Sequence, residues 1–72
     1  MNTKILERLG KKLKEIRMDK GFTQEALAEK VKIHPTYVGK IETGKSNPSA
    51  LMLYKISRAL GVKLSDIFIF DK

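Results

Sequence analysis

The sequence predicts an all-α fold, a compact globule of five short helices in 72 residues. Three observations predict it. Apolar residues recur at helical spacing between glycine and proline breaks. No stretch alternates with a period of two, and no residue pair signals a β-hairpin. Most breaks carry a residue suited to starting or stopping a helix. Residues 1–72 read as a single domain, with no internal repeat, low-complexity tract or linker.

The first helix is expected from about Thr3 to Lys20, with Ile5, Leu6, Leu9, Leu13 and Ile16 on one apolar stripe. Gly21 is its natural stop. The second starts after Thr23, a good N-cap. Phe22, just before the cap, is placed to staple onto Leu27. Ala26, Leu27 and Val31 are its expected core residues. The third helix starts near His34, with Pro35 at its first position, where a missing N–H costs nothing. Ile33 and Val38 can form a second staple, and Gly44 closes the helix. The fourth is expected to start at Asn47 and Pro48 and to end at Leu60, before Gly61. Met52, Leu53, Ile56, Ala59 and Leu60 face inward. The fifth is short, capped by Ser65, and contributes Ile67 and Phe68 to the core. Only Lys32 to His34 join the second and third helices, which suits two helices crossing steeply.

Composition removes several function classes. There is no cysteine, so there is no disulfide, thiolate metal site or thiol nucleophile. One histidine without a carboxylate cluster does not make a zinc site. No apolar run approaches the roughly 20 residues of a membrane span, and the N-terminus lacks a signal-peptide core. Gly10-Lys11-Lys12 lacks the spaced glycine of a phosphate loop, and the carboxylates are scattered. An enzyme is not expected, nor a cofactor, a metal or a small-molecule ligand. The lack of disulfides suits a reducing cytoplasm.

The formal charge of +7 and pI near 9.9 favour a polyanionic partner. Between His34 and Lys63 stand Lys40, Lys45, Lys55, Arg58 and Lys63 against one acid, Glu42. With Val38 and Ile41 set toward the core, Thr36, Lys40 and Thr43 point away from it, flanked by Tyr37 and Gly39. That is the layout of a helix-turn-helix placing its second helix in the major groove of double-stranded DNA. Pro35, Thr36, Tyr37 and Lys40 are the candidate base contacts. Lys40 can donate to guanine O6 or N7, and the Thr36 hydroxyl can donate or accept. Tyr37 has two readings, DNA contact or packing at the core's flank. His34 is read as a cap rather than a ligand. Thr23, Gln24, Thr43, Lys45, Ser46 and Asn47 are candidate phosphate contacts. Arg17 and Glu42 lie at the edges of two core faces, and a partly buried pair between them would fix the reading helix to the first.

The Ile16-Arg17 pair, Lys20-Gly21, Thr23-Gln24-Glu25, Leu27-Ala28, Ile41-Glu42-x-Gly44, Asn47-Pro48-Ser49 and Ala59-Leu60-Gly61-Val62 resemble the lambda-repressor-like, Xre-type helix-turn-helix family over about residues 9 to 68. The resemblance implies a five-helix DNA-binding domain. It assigns phosphate contact to Gln24 and to Lys45 through Asn47, and base or flanking-phosphate contact to Pro35, Thr36, Tyr37 and Lys40. It also makes Arg17–Glu42 a structural ion pair. Two departures stand out: Pro35 offers no polar base contact, and Gly39 removes a side chain from the reading flank. His34-Pro35-Thr36-Tyr37-Val38, followed by the Ile-Glu and Asn-Pro-Ser motifs, is similar to controller proteins of restriction–modification systems. These are transcriptional regulators, activators or repressors, that act as homodimers on pseudo-palindromic sites. Antitoxins, bridging factors and other repressors of the same fold are the competing readings.

Leu51, Tyr54, Ile69 and Phe70 are left over from the core assignment, and an unspent apolar patch marks an interface. The expectation is a two-fold dimer through the outer face of the fourth helix and the tail. The alternative is that Phe70 folds back over the core.

Overall fold

Leu9, Leu13, Leu27, Ala28, Val38, Ile41, Leu53, Ile56, Leu60 and Ile67 form one buried cluster drawn from every element of the chain. Removing a leucine or isoleucine side chain of this kind from water is worth about 1.5–3 kcal/mol. The computed structural model describes residues 3–69. It contains α1 (Thr3–Asp19), α2 (Gln24–Val31), α3 (Pro35–Glu42) and α4 (Ala50–Leu60), then a 3-10 helix at Leu64–Phe68. α3 packs between α1 and α2, α4 lies on α2, and the 3-10 helix bridges α1 and α4.

The N-caps follow from side-chain chemistry. Thr23 accepts from the Ala26 amide and His34 Nδ1 from the Thr36 amide, so both helices of the central unit begin where expected. Phe22 and Ile33, the two residues proposed as staples, both pack against the core cluster. The α4 start differs from expectation. Ser49 accepts from the Met52 amide and moves the helix start past Asn47 and Pro48. The last element also differs. Its amide cap comes from Asp66, which accepts the Lys63 N–H at 2.9 Å, so Ser65 lies inside the turn instead of capping it.

The four α-helices end alike, with the paired 6→1 and 5→2 backbone bonds of a left-handed stop. Gly21, Gly44 and Gly61 occupy the left-handed position in three of them. In α2 it is Lys32, at φ 66°, and it is the only non-glycine with positive φ among the described residues. A residue with a β-carbon gives up about 1 kcal/mol there relative to glycine.

Three expected core residues lie elsewhere. Ala26 is exposed, and Ala28 takes its place in the core. At 100° per residue Ala28 shares the face of Leu27 and Val31, whereas Ala26 points nearly opposite. Ile5 is 43 % exposed because it precedes the stretch Leu9–Arg17 that supplies the buried face of α1. Phe68 is 48 % exposed while Ile67 is fully buried, since successive residues of a short helix do not share one inward face.

Candidate nucleic-acid interface

The carboxyl end of α3 is held against α1 by three contacts that leave little freedom. First, the backbones approach closely at Gly10. A β-carbon there would lie 2.3 Å from the Ile41 carbonyl oxygen and 2.6 Å from that of Glu42. Second, Gly44 sits at φ +76° with the backbone of Glu7 within 2.9 Å of where its β-carbon would be. Third, Arg17 forks onto Glu42. Its Nε donates to Oε2 at 2.6 Å and one terminal nitrogen donates to Oε1 at 3.2 Å. The other terminal nitrogen donates to the Phe22 carbonyl at 2.6 Å. Both side chains are almost wholly buried. A buried charge pair is tolerated only when its remaining donors and acceptors are satisfied, and here they are. No buried side-chain nitrogen or oxygen among the described residues lacks a partner.

A fourth bond extends this network to the surface. Gln24 Nε2 donates to Glu42 Oε1 at 3.0 Å, which fixes the Gln24 amide over Gly39. A β-carbon on Gly39 would meet the Gln24 amide at 3.7–3.8 Å, an ordinary contact, so this flank of α3 has room for a methyl beside Gln24. Sequence spacing gave no sign of this bond, nor of the close approach at Gly10.

With one end of α3 clamped, the opposite face is free. Thr36 and Lys40 are exposed, and Pro35 is half-buried at the first position of the helix. Tyr37 is half-buried and packs against the core cluster, with part of its surface beside Thr36. Pro35, Thr36, Tyr37 and Lys40 thus belong to one exposed helix start and its following turn.

The candidate phosphate contacts divide. Thr23 accepts from Ala26, and its own hydroxyl proton remains available to donate. Lys45 and Asn47 are exposed and Ser46 half-buried, in a loop directly after the α3 stop. Thr43 is different. Its hydroxyl donates back to the Gly39 carbonyl at 2.9 Å, and its amide is used on the same oxygen. It has no donor left for a phosphate in this conformation. The amides of Gly44 and Lys45 are likewise used in closing α3. Any clamp in this loop therefore works through side chains and the amides beyond Lys45.

Of the expected interface residues, Leu51, Tyr54 and Ile69 are 62 %, 45 % and 65 % exposed, and Phe70 lies outside the described residues. Phe68 and Leu64 add to the exposed apolar surface of the 3-10 helix. Among the described residues no group of histidine, aspartate and glutamate could hold a metal ion, and no helix is long and apolar enough to cross a membrane.

Two short helices crossing at a three-residue joint, the second clamped at its end and bare on its outer face, define a helix-turn-helix unit. The chain belongs to the helix-turn-helix family, whose sequence model matches residues 13–67. It is accordingly a DNA-binding transcriptional regulator of that class and not an enzyme. Among known proteins it is similar to control protein C.MunI of Mycoplasma sp, 44% identical over 62 residues, covering 85% of this chain and 84% of the relative. It is also similar to an uncharacterized HTH-type transcriptional regulator of Archaeoglobus fulgidus, 42% identical over 60 residues, covering 83% and 86%. Among solved structures it superposes on the restriction–modification controller protein C.AhdI from Aeromonas hydrophila with a TM-score of 0.85 at 35% identity, covering 88% of this chain and 96% of that one.

Proposed function

We propose that the chain is a homodimeric regulator of the restriction–modification controller type, reading a pseudo-palindromic operator in the cytoplasm. The observation that carries this reading is the clamped carboxyl end and bare outer face of α3. In it, Lys40 and Thr36 address base edges, with Tyr37 and Pro35 shaping the approach. Thr23, Gln24, Lys45, Ser46 and Asn47 grip flanking phosphates and set register without reading sequence.

Size supports the dimer. One copy measures 29 × 21 × 20 Å and carries one reading helix. Reading two grooves one turn apart, about 34 Å, takes a second copy. The exposed side chains Leu51 and Tyr54 on α4, with Phe68 at the end of the 3-10 helix and Ile69 just after it, supply apolar surface suited to a two-fold contact. The test is sedimentation of the DNA-free protein at tens of micromolar, followed by selection of bound sequences. A dimer mass and two inverted half-sites about one helical turn apart are expected. A monomer that selects a single unpaired site overturns the reading.

The same exposed apolar surface also fits a different protein, as in an antitoxin. Stoichiometric co-purification of an unrelated chain, with a monomeric regulator left after its removal, would favour that alternative.

A further inference from the structure

A second surface lies apart from the DNA-facing one, in the cleft between the end of α2 and the outer flank of α4. The cleft has a volume of about 800 Å³. Its floor is apolar: Val31, Ile33, Met52 and Ala59 are half-buried residues that rest on the core and leave their outer sides bare. Its walls are cationic. Lys30, Lys32, Lys55 and Arg58 line it, and among the described residues no carboxylate does.

Two of these cations have a defined setting, one of the backbone and one of the side chain. Lys32 occupies the left-handed stop that glycine fills in the other three α-helices. Arg58 is positioned by Tyr54, donating to its hydroxyl at 3.0 Å with the guanidinium 5.8 Å from the ring centre.

The cleft reaches from the joint before α3, where Lys32 lies three residues ahead of Pro35, to Lys55 and Arg58 well along α4. α2 and α4 each begin near the reading helix, at Gln24 and just after the Lys45–Asn47 loop. At 1.5 Å per residue, Val31 lies about 10 Å along α2 from Gln24, and Arg58 about 13 Å along α4 from Ser49. A bare polyanion matches the walls but leaves the apolar floor uncovered. A segment with apolar side chains on one face and carboxylates beside them matches both.

We propose that this cleft docks an acidic, amphipathic helix of a partner protein, its apolar residues on Val31, Ile33, Met52 and Ala59 and its carboxylates facing Lys30, Lys32, Lys55 and Arg58. From Met52 to Ala59 the floor is about 10 Å long, the length of two helical turns, so anchors spaced i, i+3, i+4 and i+7 fit it. The site lets a DNA-bound copy hold a second protein without releasing the duplex.

The test titrates the isotope-labelled full chain with a synthetic helical peptide of about 14 residues, carrying leucines at those four positions and glutamates beside them. The expected result is saturable amide shifts at Val31, Ile33, Lys55 and Ala59. Replacing the leucines with serine abolishes them. The double variant Lys32→Gln with Lys55→Gln weakens binding about tenfold or more and leaves operator affinity within about twofold. Equal binding of the serine peptide or of a single-stranded oligonucleotide overturns the proposal, because it reduces the cleft to a general polyanion contact. So does shifting of the Val31 and Ile33 amides with protein concentration alone, since these lie on the α2 side, outside the two-fold contact through Leu51 and Tyr54, and such shifts assign the cleft to a second copy of this chain. So does absence of saturable binding up to about a millimolar peptide.

Discussion

Replacing Glu42 with alanine should destabilise the fold by about 3–5 kcal/mol, because it removes one partner of a buried pair and leaves the other. The structure shows how that figure arises. Arg17 is 7 % exposed and directs two of its donors to the Glu42 carboxylate. Without it, both donors and the charge stay in a largely buried site, with the bond to the Phe22 carbonyl left. The Gln24 amide loses its anchor in the same step. At about 0.05–0.15 kcal/mol per residue, a 72-residue chain has roughly 4–11 kcal/mol of stability in total, so the loss is a large fraction of it. Each kcal/mol corresponds to about 4–8 °C in a chain of this length, so the midpoint should fall by more than about 12 °C. Glu42→Gln keeps the shape and one acceptor, and should cost about 1.5–3 kcal/mol. Replacing both partners with apolar residues, as in Arg17→Met with Glu42→Leu, should recover most of the loss while freeing Gln24. Urea unfolding with a common slope is the assay. A Glu42→Ala protein within 1 kcal/mol of the parent would refute the reasoning, since the pair would then be no strut.

The remaining predictions concern backbone fit and DNA. Gly10→Ala drives a methyl into two backbone carbonyls and should destabilise by at least about 1–3 kcal/mol. Gly21→Ala, at a similar φ to Gly44 but with open space around it, should cost only about 1 kcal/mol, against clearly more for Gly44→Ala; thermal unfolding of the three compares them directly. Lys32→Gly relieves the left-handed lysine and should stabilise by up to about 1 kcal/mol in the same assay. Lys45→Ala should weaken binding to all sequences alike and reduce the salt slope by about one, read by anisotropy titrations at several salt concentrations.

Much of the fold was legible because it rests on local chemistry. Thr23, Pro35 and Gly61 mark helix ends through backbone rules that act within four residues. Leu9, Leu13, Leu27, Val38 and Ile41 follow from the helical period. The Arg17–Glu42 pair was legible because two opposite charges at the edges of core faces must be reconciled. The misses have both local and long-range causes. On α2 the helical period itself puts Ala28, not Ala26, on the face of Leu27 and Val31, so reading Ala26 as core is an error of face. Phe68 was assigned inward because one slot in the core, filled by Ile67, was read as two. Gly10 looked like half of a missing phosphate loop, whereas its role is to let two backbones touch. In the candidate site, Thr43 reads as a free hydroxyl by its face, but a threonine near a helix end can bond the carbonyl four residues back, and Thr43 bonds Gly39 in that way. Gln24 is placed for a phosphate by its position at the start of α2, and the bond that orients it comes from Glu42, a residue 18 positions away.

Whether the exposed face of α3 reads base pairs is tested most directly by selecting bound DNA sequences with the parent and with Lys40→Ala side by side. Lys40 is exposed and its side chain is outside the core, so the variant should fold as the parent does. It should keep the overall arrangement of the selected site and lose its preference at one position, by about 1–3 kcal/mol. Unchanged base preference at every position would contradict the assignment of this face as the reader.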